Sequence, residues 1–275
     1  DAWSLEVSAR SIPALRSVAD RVPPGTLIAI PYLPNEDDEA RLAAARAVRE
    51  LGCQPMPHLS ARRITLRGVL ERFVSRAVAE AGVEQCFVIA GDPSTPSGPY
   101  ADSSSLIATG VLEAVGIRAV AVGGHPESHP VMNADQRWQA LQHKCAVIEQ
   151  RGMTPLIVTQ FAFDADVVLE WLHAVRQRGI AHPVRVGVPG PASVAVLARY
   201  AAMCGVGASV SVLARYGVSI GKLLGTAGPG VFVERLQRGL TATHGQVSLH
   251  FFPFGGIAQS LTWIEQRQRG GLQRR

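Results

Sequence analysis

The sequence predicts a single (βα)8 barrel, an α/β fold, with extra helices between strands seven and eight. Eight short apolar runs recur along its 275 residues, and seven of them are followed by a stretch that can form a helix. Most of these stretches end at a glycine, and the next apolar run begins soon after it. Helices that alternate with buried strands indicate a parallel sheet, and eight such units are the number in a closed barrel.

The strands and helices can be placed one by one. The predicted strands are residues 3–8, 27–32, 54–58, 86–92, 118–124, 156–161, 184–188 and 248–254. The predicted helices between the first seven strands are residues 11–22, 37–51, 65–81, 103–115, 134–151 and 165–178. Pro23, Pro24 and Gly25 close the first helix, and Asp164 is of a residue type that caps the start of the last one. The other helices end at Gly52, Gly82, Gly116, Gly152 and Gly179, as expected for helix C-termini.

The connection between strands seven and eight is unusually long for a barrel. It contains three predicted helices, at residues 192–203, 209–216 and 229–240, and Pro229 suits the first turn of the third. Long connections after barrel strands usually carry function. We expect one barrel domain over residues 1–265, followed by a basic C-terminal tail at residues 266–275.

The composition narrows the class of partner. The net charge is +5, and part of the excess lies at Arg267, Arg269, Arg274 and Arg275. This excess indicates either a solvated tail or a basic rim that attracts an anionic substrate. We expect no nucleic-acid partner, because aromatic residues make up only 6% of the chain and no basic stretch is interleaved with them. No apolar stretch reaches the roughly 18 residues of a membrane span, so we expect no membrane association.

The four cysteines point to a reducing compartment. Cys53, Cys86, Cys145 and Cys204 lie far apart and form no C-x-x-C pair. We interpret them as reduced, mostly buried thiols of a cytoplasmic protein and do not expect a zinc site.

Polar residues at the strand ends are the candidate site, because barrel enzymes place their chemistry there. Glu6 interrupts an apolar run, where a carboxylate is costly unless it is paired. Burial would raise its pKa and make it a general acid near neutral pH. The alternative is a salt bridge to a neighbouring arginine. Asp92 is either a ligand contact or a turn residue, and Gly91 before it would let a ligand approach the backbone.

Three further strand ends carry candidate contacts. His125, Glu127 and His129 lie in a segment with two prolines, so helical metal-ligand geometry does not apply and we expect no metal. Ligand or phosphate contact and local loop structure both remain open for them. Gln160 would bind either a heterocycle with donor and acceptor edges or a neighbouring backbone group. His58 is either a ligand contact or a satisfied core histidine.

Several motifs in register resemble the methylenetetrahydrofolate reductase family. The matching segments are Ser4-Leu5-Glu6, Pro57-His58-Leu59-Ser60, Ala90-Gly91-Asp92 followed by Tyr100-Ala101, His125-Pro126-Glu127-Ser128-His129-Pro130 and Thr159-Gln160-Phe161. The resemblance runs from residue 3 to about residue 190. It implies a (βα)8 barrel with FAD across the strand ends, reduced by NADH or NADPH. It also implies hydride transfer to 5,10-methylenetetrahydrofolate, giving 5-methyltetrahydrofolate, or the reverse reaction in one-carbon catabolism.

The resemblance assigns roles to individual residues. Glu6 would be the general acid, Asp92 would orient the folate and tune the flavin, and Gln160 would bind the pterin. The residues implied to contact FAD are His58, Gly91, Tyr100, Ala101, His125, His129 and Lys144, the last facing a phosphate. A tetrahydrofolate derivative is the implied partner, and a homo-oligomer the implied assembly.

The chain departs from the family pattern at several flavin contacts. Pro31 replaces a threonine, Ala90 and Gly256 replace arginines, and His125 replaces a tyrosine. These changes keep two alternatives open, a flavin-independent reductase that uses NAD(P)H directly and a non-catalytic folate-binding subunit. The aromatic residue that stacks on the folate is not identified. Tyr216 and Phe232 are candidates, with a core or surface role as the alternative.

Overall fold

The computed structural model describes residues 3–33, 36–206 and 226–272. Its strands are β1 (Trp3–Glu6), β2 (Leu27–Ile30), β3 (Gln54–Ser60), β4 (Gln85–Ile89), β5 (Ala119–Gly124), β6 (Thr154–Phe161), β7 (Val184–Pro189), β8 (Ala192–Ser193), β9 (Thr226–Ala227) and β10 (Val247–Phe252). Its described helices are α1 (Ile12–Arg16), α2 (Asp38–Glu50), α3 (Arg67–Ala81), α4 (Ser103–Ile107), α5 (Val111–Ala114), α6 (Ala134–Gln150), α7 (Ala165–Gln177), α8 (Val194–Cys204), α9 (Gly230–Gly239) and α10 (Ile257–Leu272).

Eight parallel strands close into a barrel in the order β1, β10, β7, β6, β5, β4, β3, β2. Each barrel strand pairs in parallel with both of its neighbours. The predicted (βα)8 barrel is therefore confirmed, and all eight strands lie where the apolar runs placed them. Among the described residues, no helix is both long and apolar enough to cross a membrane.

Two of the predicted helices are broken by their backbone geometry. The helix predicted at residues 11–22 is reduced to α1 between two 3-10 turns, because Val18 leaves the helical region at φ −131° and turns toward the core. The helix predicted at residues 103–115 splits into α4 and α5 at Gly110, which has a φ of +81°. A residue in that left-handed region ends a helix.

The connection after β7 contains α8 and α9, as predicted. Helix α8 begins two residues later than predicted, because β8 pairs antiparallel with β9 and the Ser193 side chain accepts a hydrogen bond from Val196 N at 3.4 Å. Pro229 precedes α9 as its N-cap residue rather than lying in its first turn. The helix predicted at residues 209–216 lies outside the described residues, as does Tyr216.

The C-terminal segment differs from the prediction. Helix α10 continues to Leu272 and covers most of the segment assigned to a basic tail. Its apolar residues Ile257, Leu261 and Ile264 are buried at helical spacing against the barrel, which explains why the helix forms. The boundary at residue 265 therefore falls inside a helix.

The inside of the barrel has an apolar half and a polar half. Strands β2 to β6 fill one half with a separate apolar cluster, comprising Leu27, Ala29, Met56, Phe87, Ala121 and Val158. Residues paired across parallel strands face the same side of the sheet. Ser4 pairs with both Leu27 and His250, so all three face the interior. Arg185 pairs with Ser248, two residues before His250, and shares that face. Polar side chains therefore fill the side formed by β1, β10 and β7.

Candidate functional site

Glu6 and His58 meet at the C-terminal mouth of the barrel. Glu6 is the last residue of β1, and 23% of its side chain is exposed. Its Oε2 lies 3.7 Å from Nε2 of His58 on β3. Burial raises the pKa of Glu6 to about 7, so the carboxyl group holds its proton far more readily near neutral pH than an exposed glutamate does. Within the described part of the chain, the charged or titratable side chain that contacts Glu6 is a histidine, and not the arginine that the salt-bridge alternative expected.

Burial keeps His58 neutral beside this acid. Its pKa falls to about 3, first because the ring is desolvated and then because His250 and Arg41 repel its charged form. The ring lies edge-on to Phe87, with centroids 4.5 Å apart. Behind it, the buried guanidinium of Arg41 donates to the His58 carbonyl. The contact with Glu6 is thus between a carboxyl group and an uncharged imidazole.

Asp92 lies at the rim, just beyond β4. Its side chain is 84% exposed and its Oδ2 lies 3.3 Å from Nη2 of Arg63, which follows β3. The sequence pattern suggested that Ala90 removes a cation from this region, yet Arg63 supplies one from another strand end. Gly91 is required here, because its φ is +92° and a Cβ atom would come within 2.0 Å of the Ser60 hydroxyl oxygen. The group that lies close to the Gly91 backbone is therefore Ser60 of the same chain.

Gln160 on β6 interacts with Cys204, the last residue of α8. The Gln160 Oε1 accepts a hydrogen bond from the following backbone N–H at 3.0 Å, as the local alternative predicted. Burial raises the pKa of the Cys204 thiol, the charges of Glu6 and Asp92 raise it further, and the Gln160 side chain lowers it. Cys204 is therefore within electrostatic reach of all three predicted catalytic and substrate residues. Sequence reasoning missed it, and its place in the long connection was the only signal.

His125 and His129 form a second group, at the end of β5. Their rings are edge to face, with centroids 4.7 Å apart. Burial lowers the pKa of His125 to about 3, with smaller effects from His129, Lys144 and Arg137. The Nδ1 of His129 accepts hydrogen bonds from the N–H groups of Val131 and Met132, at 3.2 and 3.1 Å. The proton of the neutral ring is therefore on Nε2.

A cavity of about 240 Å³ opens beside this group, between α6 and α7. Lys144, which is 9% exposed, lines it and donates to the Gly123 carbonyl at 3.1 Å. Burial lowers the pKa of Lys144 to about 8. The stacked indoles of Trp138 and Trp171, with centroids 5.9 Å apart, form part of the wall. The cavity is thus lined both by a partly desolvated cation and by flat apolar side chains.

Tyr100 and Ala101 lie on the loop between β4 and α4. The Tyr100 side chain is only 4% exposed and packs in the core, so its ring does not face the mouth. Ala101 is exposed, and its carbonyl accepts a hydrogen bond from Nε of Arg62 at 2.7 Å. This packing leaves no surface of the Tyr100 ring for a ligand. It therefore disagrees with the expected contact between the Tyr100 side chain and FAD.

Among the described residues, a stacked aromatic pair that was not among the candidates lies next to the end of β6. Phe232 is 1% exposed and belongs to the core, as its alternative interpretation held. Instead, Tyr200 of α8 stacks on Phe254 with centroids 4.0 Å apart and planes 11° apart. Phe254 also contacts the ring of Phe161, next to Gln160, at 5.1 Å. In the described residues, no group of three or more His, Cys, Asp or Glu side chains could hold a metal ion.

Comparisons with known proteins found similar structures and one matching family model. Two structures of dihydropteroate synthase from Thermus thermophilus are similar to the chain at 14% identity, with TM-scores of 0.48 and 0.49. Each covers 96% of this chain, over 92% and 93% of the synthase chains. The sequence model of methylenetetrahydrofolate reductase matches residues 25–251. The chain therefore belongs to the methylenetetrahydrofolate reductase family, which comprises oxidoreductases that act on CH–NH groups.

Proposed function

We propose that this protein reduces 5,10-methylenetetrahydrofolate to 5-methyltetrahydrofolate, with FAD as its cofactor and NADH or NADPH as electron donor. The main support is Glu6, a carboxylic acid with a pKa of about 7 at the mouth of a barrel of this family. Family membership favours an enzyme over the non-catalytic subunit. The homo-oligomeric state and the cytoplasmic location remain predictions from the sequence.

Glu6 supplies the proton that the reaction needs. The bridging carbon of the substrate is held between two nitrogens, and protonation of one nitrogen opens the ring to an iminium ion that accepts hydride. A general acid is most effective when its pKa is near the working pH. Because Glu6 is 23% exposed, its carboxyl can reach a ligand in the mouth. His58 is neutral and does not hold Glu6 in its ionised form.

The pterin would be bound by groups around Gln160. The Gln160 amide lies at the end of β6 and accepts from the Phe161 N–H, and the stacked rings of Tyr200 and Phe254 provide a flat apolar surface next to Phe161. A planar heterocycle satisfies both, because it combines polar edges with an aromatic face. Asp92 at the rim would accept from the amino edge of the ring. In this proposal Gln160 binds the pterin and Asp92 orients it.

The residues at the end of β5 and in the cavity between α6 and α7 have side chains that suit parts of FAD. A dianionic pyrophosphate suits the cation of Lys144 and the Nε2–H of His129, and an aromatic ring suits the indole-lined cavity beside them. Gly91 and Ala101 have little or no side chain, so they would contact FAD through their backbone atoms. FAD, when bound, supplies the hydride that reduces the substrate carbon. Lys144, His129 and His125 would hold it.

Direct hydride transfer from NADH or NADPH is the second candidate. It is favoured by two expected flavin contacts whose side chains are buried, since Tyr100 is 4% exposed and His58 is 6% exposed. Pro31 and Ala90 favour it as well, because each replaces a polar flavin contact of the family. The role of Glu6 is the same in both candidates.

The test begins with an absorbance spectrum of purified, desalted protein after incubation with FAD. Flavin bands at about one per chain support the flavoenzyme, and a colourless protein that still reduces the folate supports direct transfer. We then expect Glu6→Gln to lower folate turnover by about 100-fold or more while reduction of flavin by NADH or NADPH survives. Glu84→Gln, at an exposed site, is the matched control. Equal loss of both half-reactions, or no turnover by the wild type, would contradict the proposal.

A further inference from the structure

Arg63 and Asp92 place hydrogen-bond donors beside an acceptor at the mouth of the barrel. Arg63 follows β3 and Asp92 follows β4, and Nη2 of Arg63 donates to Oδ2 of Asp92 at 3.3 Å. Within the described residues, Nε and Nη1 of Arg63 and Oδ1 of Asp92 have no hydrogen-bond partner. Both side chains also reach solvent, with exposed fractions of 23% and 84%. The pair therefore keeps donors and an acceptor free for a ligand.

The Arg63 guanidinium lies over an aromatic ring that a buried residue contacts. Its Cζ atom is 5.6 Å from the centroid of the Tyr32 ring. The guanidinium of Arg41, which is buried, lies 4.5 Å from the centroid of the same ring. A cation is attracted to the face of an aromatic ring. Tyr32 is therefore held from the core side and in turn limits the orientations of Arg63.

The backbone on both sides of Asp92 is bonded to the residue before Arg63. The Arg62 N–H donates to the Ala90 carbonyl at 2.9 Å. Nη1 of Arg62 donates to the Pro93 carbonyl at 3.2 Å. These bonds fix the end of β3 against the end of β4, so the positions of Arg63 and Asp92 relative to each other are set before a ligand binds.

Folding stability does not explain why this pair is held so firmly. An ion pair with a largely exposed partner contributes little to stability, and fixing a long arginine side chain costs conformational entropy. Groups that are already ordered bind a ligand more tightly, because less ordering remains to be done on binding. The arrangement therefore suits a ligand whose edge carries donors and an acceptor side by side.

We propose that Arg63 determines the specificity of the site for a 4-oxo pterin. The inference rests on the proposed function, in which Asp92 orients the pterin of a folate. One edge of that ring presents three groups in a row, which are the 2-amino group, the N3–H and the 4-oxo oxygen. Asp92 accepts from the two donors, and Arg63 beside it donates to the oxygen. Oδ2 of Asp92 can accept from both Arg63 and the N3–H, because a carboxylate oxygen has two lone pairs.

The same pair disfavours a 4-amino pterin. Such a ring presents an amino group to the donors of Arg63 and a nitrogen lone pair to the carboxylate of Asp92. Arginine has no acceptor and stays protonated in proteins, so it cannot adapt to this pattern. A site built to hydrogen-bond one group discriminates strongly against an analogue that lacks it. The 2-amino group is common to both rings, so Asp92 contributes to both, whereas Arg63 favours only the 4-oxo form.

The test compares the affinities of tetrahydrofolate and 4-amino-4-deoxytetrahydrofolate for the full chain with FAD in excess. Anaerobic isothermal titration calorimetry measures both without turnover. The wild type should prefer tetrahydrofolate by about 100-fold. We expect Arg63→Met to weaken tetrahydrofolate binding by about tenfold, through loss of a charge-assisted hydrogen bond, and not to weaken binding of the 4-amino ligand. Arg118→Met, at an exposed site just before β5 and at the opposite end of the barrel, is the matched control and should change neither affinity.

Two further variants separate direct contact from positioning. In an Asp92→Asn background, Arg63→Met should still weaken tetrahydrofolate binding by about tenfold, because Arg63 contacts the ligand itself. Loss of that effect would mean that Arg63 acts only through Asp92, and would overturn the proposal. Tyr32→Leu removes the ring against which Arg63 lies, so it should lower the preference for tetrahydrofolate in part. It carries the test if Arg63→Met does not fold.

The outcomes separate this inference from the proposed function. An equal loss for both ligands in Arg63→Met, an unchanged ratio of the two affinities, or no preference in the wild type would overturn the role of Arg63 and leave folate binding in place. If the wild type binds neither ligand, the proposed function itself fails, and the inference fails with it.

Discussion

Glu6→Gln should make the protein more stable at alkaline pH, although it removes the acid on which turnover depends. Burial raises the pKa of Glu6 from 4.5 to about 7. The folded state therefore disfavours the ionised carboxylate relative to the unfolded state. The stability of the wild type should fall as the pH rises from the unfolded pKa to the folded one, which is the reverse of the usual carboxylate. Glutamine does not ionise and escapes this loss.

The magnitude follows from the two pKa values. A rise from 4.5 to about 7 corresponds to about 3 kcal/mol of lost stability once the pH is well above 7. At about pH 5.5 the wild type has lost only about 1 kcal/mol of this, because the folded state is still protonated. Between about pH 5.5 and pH 8.5, the advantage of Glu6→Gln over wild type should therefore grow by about 2 kcal/mol.

Urea denaturation at a series of pH values measures this difference, since the unfolding free energy is linear in denaturant. Groups remote from Glu6 contribute equally in both proteins and cancel in the comparison. Glu84→Gln, at an exposed site, is the matched control for the loss of one carboxylate. A difference between Glu6→Gln and wild type that stays constant over this range would refute the reasoning, because Glu6 would then not be desolvated in the folded protein.

Three further predictions concern the mouth. Gly91→Ala should destabilise the protein by about 1–3 kcal/mol in thermal or urea unfolding, because its φ is +92° and its Cβ meets the Ser60 hydroxyl. Gly116→Ala, with a φ of +96° and open space, should cost less, and Ser60→Ala should restore part of the loss at Gly91. Asp92→Asn should raise the KM for the folate about tenfold and change the unfolding free energy by less than about 0.5 kcal/mol, since the side chain is 84% exposed. An equal loss of stability would place Asp92 in the fold rather than the site. Cys204 should react with iodoacetamide before the three other cysteines, because those thiols are buried. Tetrahydrofolate should slow the reaction of Cys204. Equal rates with and without tetrahydrofolate would place Cys204 outside the folate site.

The fold was predictable because each repeat carries its own local signals. The glycines that follow the helices have positive φ at Gly52, Gly82, Gly116, Gly152 and Gly179. Each of these residues ends a helix just before a strand that is buried on both faces, so the boundary can be recognised from sequence alone. Helix breaks inside a predicted segment were harder to place, since Val18 leaves the helix to reach the core and no residue type marks that turn.

The candidate site was predictable only where a residue conflicts with its own strand. Glu6 interrupts an apolar run, and its raised pKa is a direct consequence of that position. Arg63, Cys204 and Tyr200 could not be found in this way, because each reaches the mouth from a helix or loop whose sequence is ordinary. Tyr100 shows the converse. Its place in a family motif implied a contact with FAD, but its ring packs in the hydrophobic core.

The acid strength of Glu6 depends on the neutrality of His58, and the structure contains the means to keep it neutral. At 3.7 Å, a charged imidazolium would favour the carboxylate by about 4 kcal/mol for an effective dielectric constant of about 20. That exceeds the roughly 3 kcal/mol by which burial disfavours the carboxylate, so Glu6 would remain ionised at neutral pH. Desolvation, His250 and the buried Arg41 each disfavour the imidazolium. Arg41 also holds the His58 backbone, so the same guanidinium that positions the ring prevents it from becoming the counter-ion of the acid.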